Sequence, residues 1–274
     1  MLSGTAPFSF FFEKERNAEM KQEELIRIWK EEEKIAHIKG WDFSHLDGRF
    51  ESDQGISWDY DKLVRKYLRP DMRLLDYDTG GGEVLLSFGH PYDMTSATEG
   101  YPPNVELCRK VLTPLGIDFR ECNDASRLPF EDGTFDIMTN RHGDFDPVEI
   151  RRVLKTGGYF VTQQVGGDND RDLVELVLPG VHPLFEGQEL FLGSRKKAFE
   201  DAGFEILESG EVFTPIRFYD VGAFVWFARV IEWEFVDFSV DRCLDRLLDL
   251  QKKIERDGVI EGTTHRYMIT ARKK

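Results

Sequence analysis

The segment 74–83, Leu-Leu-Asp-Tyr-Asp-Thr-Gly-Gly-Gly-Glu, is the feature that most constrains how this chain folds. It begins as an apolar, strand-like run, breaks into a tight glycine turn, and is followed by an apolar stretch, 84–88, that can start a helix. Glycine carries no Cβ, so the backbone of such a turn can approach a ligand closely. A helix start behind the turn presents free N–H groups to a carboxylate or phosphate. This order predicts a nucleotide-type cofactor site, without saying which cofactor.

Strand-like and helix-like segments alternate from residue 73 onward, which predicts an α/β fold with a mostly parallel, doubly wound sheet and helices on both faces. In such sheets, ligands bind at the carboxyl ends of the strands. The predicted strands cover 73–77, 94–98, 118–122, 135–140, 158–165 and 204–212, and a last strand covers 265–271.

The length of 274 residues suits one large domain, or a domain with an appended cap. We expect an N-terminal helical and irregular cap over 1–68 and a core over 69–274, with a lid insertion at about 216–260 between the last two strands. An amphipathic helix is predicted over 20–39, because apolar residues recur there at helical spacing. Residues 1–19 are expected to be an extension that precedes the ordered part.

The net charge of −15 argues against a broad nucleic-acid-binding surface, because phosphate contacts depend on Lys and Arg. No apolar run approaches the ~18 residues of a membrane helix. The three cysteines lie far apart, in no metal or redox spacing, which favours free thiols in a reducing cytosol. We therefore expect a soluble, cytoplasmic protein with no metal site and no membrane contact.

Four features follow the glycine turn at regular points of the strand pattern. Glu99 comes just after the second strand, where an acid can accept both hydroxyls of a ribose. Asp124-Ala125 follows the third strand, where a short acidic–small pair can flank an adenine. Leu-Pro-Phe-Glu-Asp-Gly-Thr-Phe-Asp, 128–136, leads into the fourth strand, and Arg-Arg-Val-Leu-Lys-Thr-Gly-Gly-Tyr-Phe, 151–160, leads into the fifth.

Taken in order, these motifs resemble the class I S-adenosylmethionine-dependent methyltransferases, in their widespread small type 11 form. The resemblance covers about 72–165. It implies a Rossmann-like, seven-stranded sheet whose last strand inserts antiparallel beside the sixth. It also implies S-adenosylmethionine as cofactor and methyl transfer to an acceptor.

The resemblance assigns a role to each matching residue. Asp76 would orient the methionine amino group, Glu99 would bind the ribose hydroxyls, and Gly80 and Gly82 would let the backbone pass under the cofactor. The adenine would lie against Asp124 and Ala125, and the methyl group and substrate would lie near Asn140 and Arg141.

Asp78 stands where the family's turn has its first glycine. Aspartate tolerates left-handed backbone better than most residues do. Its carboxylate could bond the cofactor's ammonium group or repel its carboxylate, so we expect cofactor binding that survives but is weakened.

His142, just beyond the fourth strand, is the best candidate for a general base, since an unperturbed histidine titrates near pH 6.5. The alternative is a loop histidine that only packs. No motif defines the acceptor, although an oxygen or nitrogen of a small molecule suits the pattern. Two aromatic segments could line its pocket: one contains Trp29, Trp41, Phe43 and Trp58, and the other contains Tyr219, Phe224, Trp226 and Trp233. The alternative is that these rings only pack the cap against the core.

The same sequence features also allow other functions. An RNA methyltransferase shares the core layout, and a non-catalytic cofactor-binding protein would explain Asp78. A dehydrogenase would need a third turn glycine, where this chain has Leu85. Surface aromatics would also suit a homodimer interface.

Overall fold

A computed structural model describes residues 8–38 and 42–274, with side chains from residue 21 onward. Its centre is one sheet of eight strands. The strands are β1 (Phe50–Glu51), β2 (Leu74–Tyr77), β3 (Thr95–Glu99), β4 (Asp118–Glu121), β5 (Phe135–Arg141), β6 (Leu154–Val165), β7 (Phe204–Phe218) and β8 (Ile260–Lys273).

The spatial order of the sheet is β1-β7-β8-β6-β5-β2-β3-β4. Strands β2 to β6 run parallel to one another, whereas β8 lies antiparallel between β6 and β7. The expected antiparallel last strand is therefore confirmed. The carboxyl ends of β2, β3 and β5 meet at one edge, which is where a parallel sheet binds its ligands.

The strand count differs from the expected seven. The extra strand, β1, consists of two residues and pairs antiparallel with the edge strand β7, with Phe50 opposite Phe218. Two residues in an irregular stretch carry no alternating pattern, so the sequence gives no signal for them. Their pairing depends on β7, which extends to Phe218 and so runs six residues past its predicted end.

Nine helices accompany the sheet in the ranges 8–38 and 42–274. They are α1 (Phe8–Ile35), α2 (Tyr60–Tyr67), α3 (Glu83–Ser87), α4 (Pro102–Val111), α5 (Pro147–Val153), α6 (Arg171–Val177), α7 (Leu192–Asp201), α8 (Val221–Val230) and α9 (Leu244–Asp257). Helix α1 begins at Phe8, well before the predicted start at 20. No helix in the described ranges is both long enough and apolar enough to cross a membrane.

Side-chain caps fix where several helices begin. The Asp59 carboxylate accepts from Lys62 N at the start of α2, and the Asp220 carboxylate accepts from Ala223 N at the start of α8. Asp146 caps α5 through Val148 N and precedes Pro147, a residue suited to the first helical position. These caps hold the loops at the carboxyl edge of the sheet in fixed conformations.

The aromatic residues predicted to line a substrate pocket mostly serve packing instead. Trp29 of α1 and Phe224 and Trp226 of α8 are buried in one hydrophobic cluster together with Phe218 at the end of β7. The cluster joins the N-terminal helix to the insertion between β7 and β8. Trp41 lies outside the described residues.

An ion-pair group reinforces this junction. Arg49 donates to both carboxylate oxygens of Asp220, at 2.8 and 2.7 Å, and lies 2.9 Å from Glu32 of α1. One arginine therefore links α1, the loop before β1 and the first residue before α8. The cap and the lid insertion, which we predicted as separate parts, pack against each other.

Replacing Trp29 with alanine should weaken this junction. The side chain is 1% exposed, and truncating a buried aromatic residue to alanine costs about 3–5 kcal/mol. Urea unfolding should show a corresponding fall in the unfolding free energy. The neighbouring Ile28→Ala is the matched control, since Ile28 is 44% exposed and should change stability little. Equal effects of the two substitutions would contradict the packing of α1 on the insertion.

Candidate functional site

The glycine turn after β2 adopts left-handed backbone at three positions. The φ angles are 54° at Asp78, 65° at Gly80 and 88° at Gly82. Aspartate is one of the few non-glycine residues that accept this conformation readily. Asp78 therefore meets the backbone requirement of the position that it occupies. The turn closes with Thr79 N donating to Thr98 O of β3 at 3.0 Å and Gly82 N donating to Thr79 O at 3.1 Å.

The helix after the turn is short. Helix α3 has five residues, begins behind Gly82, and carries Glu83 in its first turn. A carboxylate already occupies the end of the helix where an anion would be stabilised. The anion-binding property that we expected from this helix start is therefore weak in this chain.

The Glu99 carboxylate holds the turn to the end of β3. One oxygen, Oε2, accepts from Gly80 N at 2.8 Å, and the other, Oε1, accepts from Gly100 N and Tyr101 N at 2.9 Å each. The residue is 6% exposed. Since each carboxylate oxygen has two lone pairs, Oε2 keeps one acceptor position for a further donor such as a hydroxyl.

Asp76, the last acid before the turn, is also buried and bonded. Its two oxygens accept from Thr139 Oγ1 of β5 at 2.6 Å and Thr79 Oγ1 at 2.7 Å. Burial raises the pKa of Asp76 to about 6, against the opposing effect of these two hydrogen bonds. The residue fixes the turn relative to β5 and presents a carboxyl group at the carboxyl edge of the sheet.

Asp78 faces the loop after β5. A Cβ built on Gly143 would lie 2.7 Å from both Cβ and Oδ2 of Asp78 and 2.8 Å from Asn140 Nδ2. Burial, followed by the negative charges of Glu99, Asp144 and Asp76, raises the pKa of Asp78 to about 7. Its side chain thus spans the gap between two loops, and Gly143 leaves it the room to do so.

Asp124 and Ala125 lie beside Glu99 on the next loop. A Cβ on Gly100 would lie 2.6 Å from Cys122 O, so the loop after β4 passes close to the end of β3. The Asp124 carboxylate is exposed and accepts from Ser126 N and Ser126 Oγ at 2.9 and 2.6 Å. These local bonds shape the loop and leave Ala125 half-buried next to it.

Asn140 is fully buried, and its side chain is bonded within the sheet. Its Nδ2 donates to Tyr77 O at 2.9 Å, and its Oδ1 accepts from Gln164 Nε2 at 2.5 Å. The amide thus connects β2, β5 and β6 directly below the turn. This geometry favours a supporting role for Asn140 over direct contact with a substrate.

Arg141 and His142 reach the edge of the sheet after Asn140. The Arg141 guanidinium is exposed and lies 5.9 Å from the ring centre of Tyr60. His142 has a positive φ of 61°, and its N donates to Gln163 O at 3.0 Å. Burial, helped by the positive charges of Arg266 and Arg141, lowers the pKa of His142 well below its usual value.

A hydrogen-bond chain fixes the protonation of the His142 ring. Trp58 Nε1 donates to Gln163 Oε1 at 2.8 Å, so the amide nitrogen of Gln163 is the atom that faces His142 Nε2, at 3.2 Å. That nitrogen donates, so His142 Nε2 accepts and its ring proton lies on Nδ1. The ring is neutral at pH 7, with Nε2 directed toward Gln163.

Sequence reasoning missed a second polar group at this edge. Arg266 of β8 is 8% exposed; its Nη1 donates to Asn169 Oδ1 at 2.5 Å, and its Nε lies 3.2 Å from Asp53 Oδ1. Neither Arg266 Nε nor Asp53 Oδ1 forms a hydrogen bond with any described residue. The available signal was a charged residue in the middle of an otherwise strand-like segment.

The residues present fit a ligand with cationic and hydroxyl groups. Asp76, Asp78 and Glu99 place three carboxyl groups around one turn, and Glu99 Oε2 keeps an acceptor position that a ribose hydroxyl could use. S-Adenosylmethionine carries an ammonium, a sulfonium and a ribose. The turn therefore suits the cofactor that the sequence motifs imply.

Comparison with known proteins agrees with this geometry. Residues 75–162 match the family model described as a methyltransferase domain. The matched segment runs from β2 through most of β6 and includes every site residue that we predicted. The resemblance to class I S-adenosylmethionine-dependent methyltransferases is thereby confirmed, and that family uses S-adenosylmethionine as its methyl donor.

Two curated relatives share part of this segment. A ubiquinone/menaquinone biosynthesis C-methyltransferase from Desulfotalea psychrophila is 35% identical over 98 residues, which cover 32% of this chain and 39% of that protein. A phthiotriol/phenolphthiotriol dimycocerosates methyltransferase from Mycobacterium tuberculosis is 31% identical over 112 residues, 34% of this chain and 41% of that protein. The chain thus spans about two fifths of the length of each of these relatives.

The fold also matches a solved structure. A putative methyltransferase from Bacillus halodurans superposes with a TM-score of 0.55 at 20% identity, over 78% of this chain and 98% of that one. This likeness shows the Rossmann-like methyltransferase fold.

Replacing Glu99 with glutamine should destabilise the turn even without a ligand. A glutamine amide cannot accept all three N–H groups, because its NH₂ group would face at least one of them, and a buried unsatisfied donor costs about 1–3 kcal/mol. Thermal melting of the ligand-free variant should show a lower Tm. Glu121→Gln is the matched control: Glu121 lies opposite Glu99 in the sheet but is exposed. An unchanged Tm for Glu99→Gln would contradict the role of this carboxylate in holding the turn.

Proposed function

We propose that this chain, whose residues 75–162 match the methyltransferase-domain family, is an S-adenosylmethionine-dependent methyltransferase that acts on a small-molecule acceptor. The observation that carries the proposal is the turn itself: left-handed backbone at the required positions, closed by the Glu99 carboxylate, at the carboxyl edge of a parallel sheet. The net charge of −15 disfavours RNA as the acceptor.

The cofactor, when bound, supplies an electrophilic methyl group on a sulfonium. In this proposal Glu99 binds the ribose, Asp76 and Asp78 face the methionine end, Gly80 and Gly82 allow close backbone approach, and Asp124 and Ala125 flank the adenine. Arg141 and His142 stand at the edge where an acceptor would enter. Holding the acceptor in line with the methyl group supplies much of the rate enhancement in such a site.

The acceptor atom is also a matter of proposal. An oxygen or nitrogen nucleophile suits a site with a neutral histidine, because His142 Nε2 could take its proton once it exchanges its hydrogen bond from Gln163 for one from the acceptor. The name of one relative specifies transfer to carbon. A screen should therefore contain phenols, amines and compounds with an acidic C–H bond, with S-adenosylhomocysteine formation as the readout. Formation of this product with any of them supports an enzyme.

A non-catalytic cofactor-binding protein is the second candidate, favoured by Asp78 at a glycine position. Such a protein would bind S-adenosylmethionine yet form no S-adenosylhomocysteine with any compound of the panel.

Stabilisation by NAD(P) instead of S-adenosylmethionine in a thermal-shift assay would indicate a dehydrogenase. A salt-sensitive gel shift with bulk tRNA or rRNA would revive the RNA methyltransferase.

We also propose a cytoplasmic location. The three cysteines are unpaired and buried, as a reducing compartment favours.

Exposed aromatic residues such as Tyr101 and Phe213 would suit a homodimer, which sedimentation analysis would detect.

Asp78→Gly should bind S-adenosylmethionine more tightly than the natural chain, by about three- to tenfold. Glycine opens the space that the aspartate side chain fills next to Gly143. It also removes the repulsion between Asp78 and the cofactor's carboxylate, which donor and product share and which we expect to exceed the attraction of Asp78 for the sulfonium. Isothermal titration calorimetry of both proteins gives the two Kd values. Equal affinities would refute the weakening by Asp78.

If His142 takes the proton from the acceptor, His142→Gln should lower kcat by about 10²–10⁴-fold. Because its pKa is lowered, the ring stays neutral below pH 6.5, so the acid limb of the kcat profile should lie well below that pH. Gln163→Ala, which frees His142 Nε2, is the companion variant and should retain activity. A loss of less than tenfold in His142→Gln, or an acid limb at pH 6.5, would reduce His142 to a packing residue.

A further inference from the structure

Asp78 differs from Asp76 and Glu99 in having no hydrogen-bond partner among the described residues. The carboxylates of Asp76 and Glu99 accept from hydroxyl and backbone N–H groups at 2.6–2.9 Å. The Asp78 carboxylate accepts no hydrogen bond from the part of the chain that the structure describes, and the residue is half-buried. A half-buried carboxylate without a protein donor is free to act on a ligand through its charge.

The position of Asp78 is set by two neighbours. Its backbone is left-handed, and Gly143 on the opposite loop leaves room for its Cβ and Oδ2. Any side chain at Gly143 would meet Asp78 and the Asn140 amide together. The aspartate at 78 and the glycine at 143 are therefore sterically matched.

The charged groups that act most strongly on Asp78 are all negative. Asp76 comes from its own strand, Glu99 from β3 and Asp144 from the loop after β5, and each raises the pKa of Asp78. Asp144 is 78% exposed and lies 3.4 Å from Arg195, which weakens its contribution. The potential at the turn therefore favours a positive ligand group. Of these four carboxylates, Asp78 is the one without a hydrogen-bond donor in the described ranges.

We infer that Asp78 makes this site select its cofactor by charge, binding the sulfonium form in preference to the neutral thioether left after methyl transfer. The inference rests on the proposed function. In that reaction an electron pair of the acceptor forms a bond to the methyl carbon while the bond between sulfur and that carbon breaks. The electron pair of the broken bond stays on sulfur, and the sulfonium becomes an uncharged thioether. Donor and product therefore differ by one positive charge and one methyl group.

This selection has a direct functional consequence. A site that relies on shape alone holds the product about as well as the donor, because the two share the adenosine and the amino-acid end. A nearby carboxylate favours the charged donor by on the order of tenfold in a partly buried site. The spent cofactor would then leave more readily, and inhibition by product would be weak.

The test compares Kd values for S-adenosylmethionine and S-adenosylhomocysteine at pH 7.5 by isothermal titration calorimetry. The Asp78→Asn variant keeps the size of the side chain but removes its charge. The ratio of the thioether Kd to the sulfonium Kd should fall about tenfold in this variant. An analogue in which a protonated amine replaces the sulfonium should follow S-adenosylmethionine, because it carries the same charge without a transferable methyl group.

Asp93→Asn is the matched control, since it makes the same change in net charge at an exposed residue before β3, at the opposite edge of the sheet. Its Kd ratio should equal that of the natural chain. Thermal melting of each variant confirms that it is folded before titration.

The remaining outcomes separate the two proposals. A ratio that Asp78→Asn leaves unchanged, with both ligands still bound, overturns charge selection and leaves the proposed function intact. Binding that appears only in Asp78→Gly also overturns it, because Asp78 would then exclude the cofactor. If none of these folded proteins binds any of the three ligands, the proposed function fails, and charge selection fails with it.

Discussion

The hydrogen bonds of the Glu99 carboxylate are the constraint on which the site depends. One buried side chain accepts from Gly80 in the turn after β2 and from Gly100 and Tyr101 beyond β3, so two loops from neighbouring strands share one acceptor. The glycines supply the backbone conformation, but the carboxylate determines where the turn lies relative to the sheet. Bonds to a charged acceptor are stronger than neutral ones, and leaving the buried N–H groups unpaired would be costly. The turn is thus organised without any ligand.

The same arrangement concentrates negative charge. Asp76 accepts from two hydroxyl donors, and Glu99 accepts from backbone N–H groups. Asp78 has no such donor in the described part of the chain. Polar groups with perturbed pKa values and no structural partner gather at functional sites, since stability alone does not favour them. Beyond the ends of β5 and β6 the groups differ in charge and type: a neutral histidine and the arginines 141 and 266.

The aromatic segments show how composition can mislead. Their density predicted a pocket, yet Phe224, Trp226 and Trp29 are buried against one another where α1 packs on the insertion. Large aromatic residues contribute to any interface that excludes water, whether it binds a ligand or another helix. Trp58 is the member of the predicted set that reaches the site, because its indole N–H bonds Gln163. Spacing along the chain could not distinguish a ring that lines a pocket from one that packs between helices. The residues that each segment packs against are distant in the sequence.

The sequence by itself determined the alternating strands and helices, the glycine turn and the acids at the ends of β2, β3 and β4. These features depend on local backbone preference and on periodicity, which neighbouring residues encode, whereas the antiparallel direction of the last strand was implied by the family resemblance. Only the tertiary structure decided the short edge strand β1, the contact between Asp78 and Gly143, the chain from Trp58 through Gln163 to His142, and the pairing of Arg266 with Asp53. Each of these joins residues far apart in the chain, so each depends on how the sheet brings loops together. The aspartate at a glycine position was visible in the sequence, but its unpartnered carboxylate and the room that Gly143 leaves for it became apparent only in the fold.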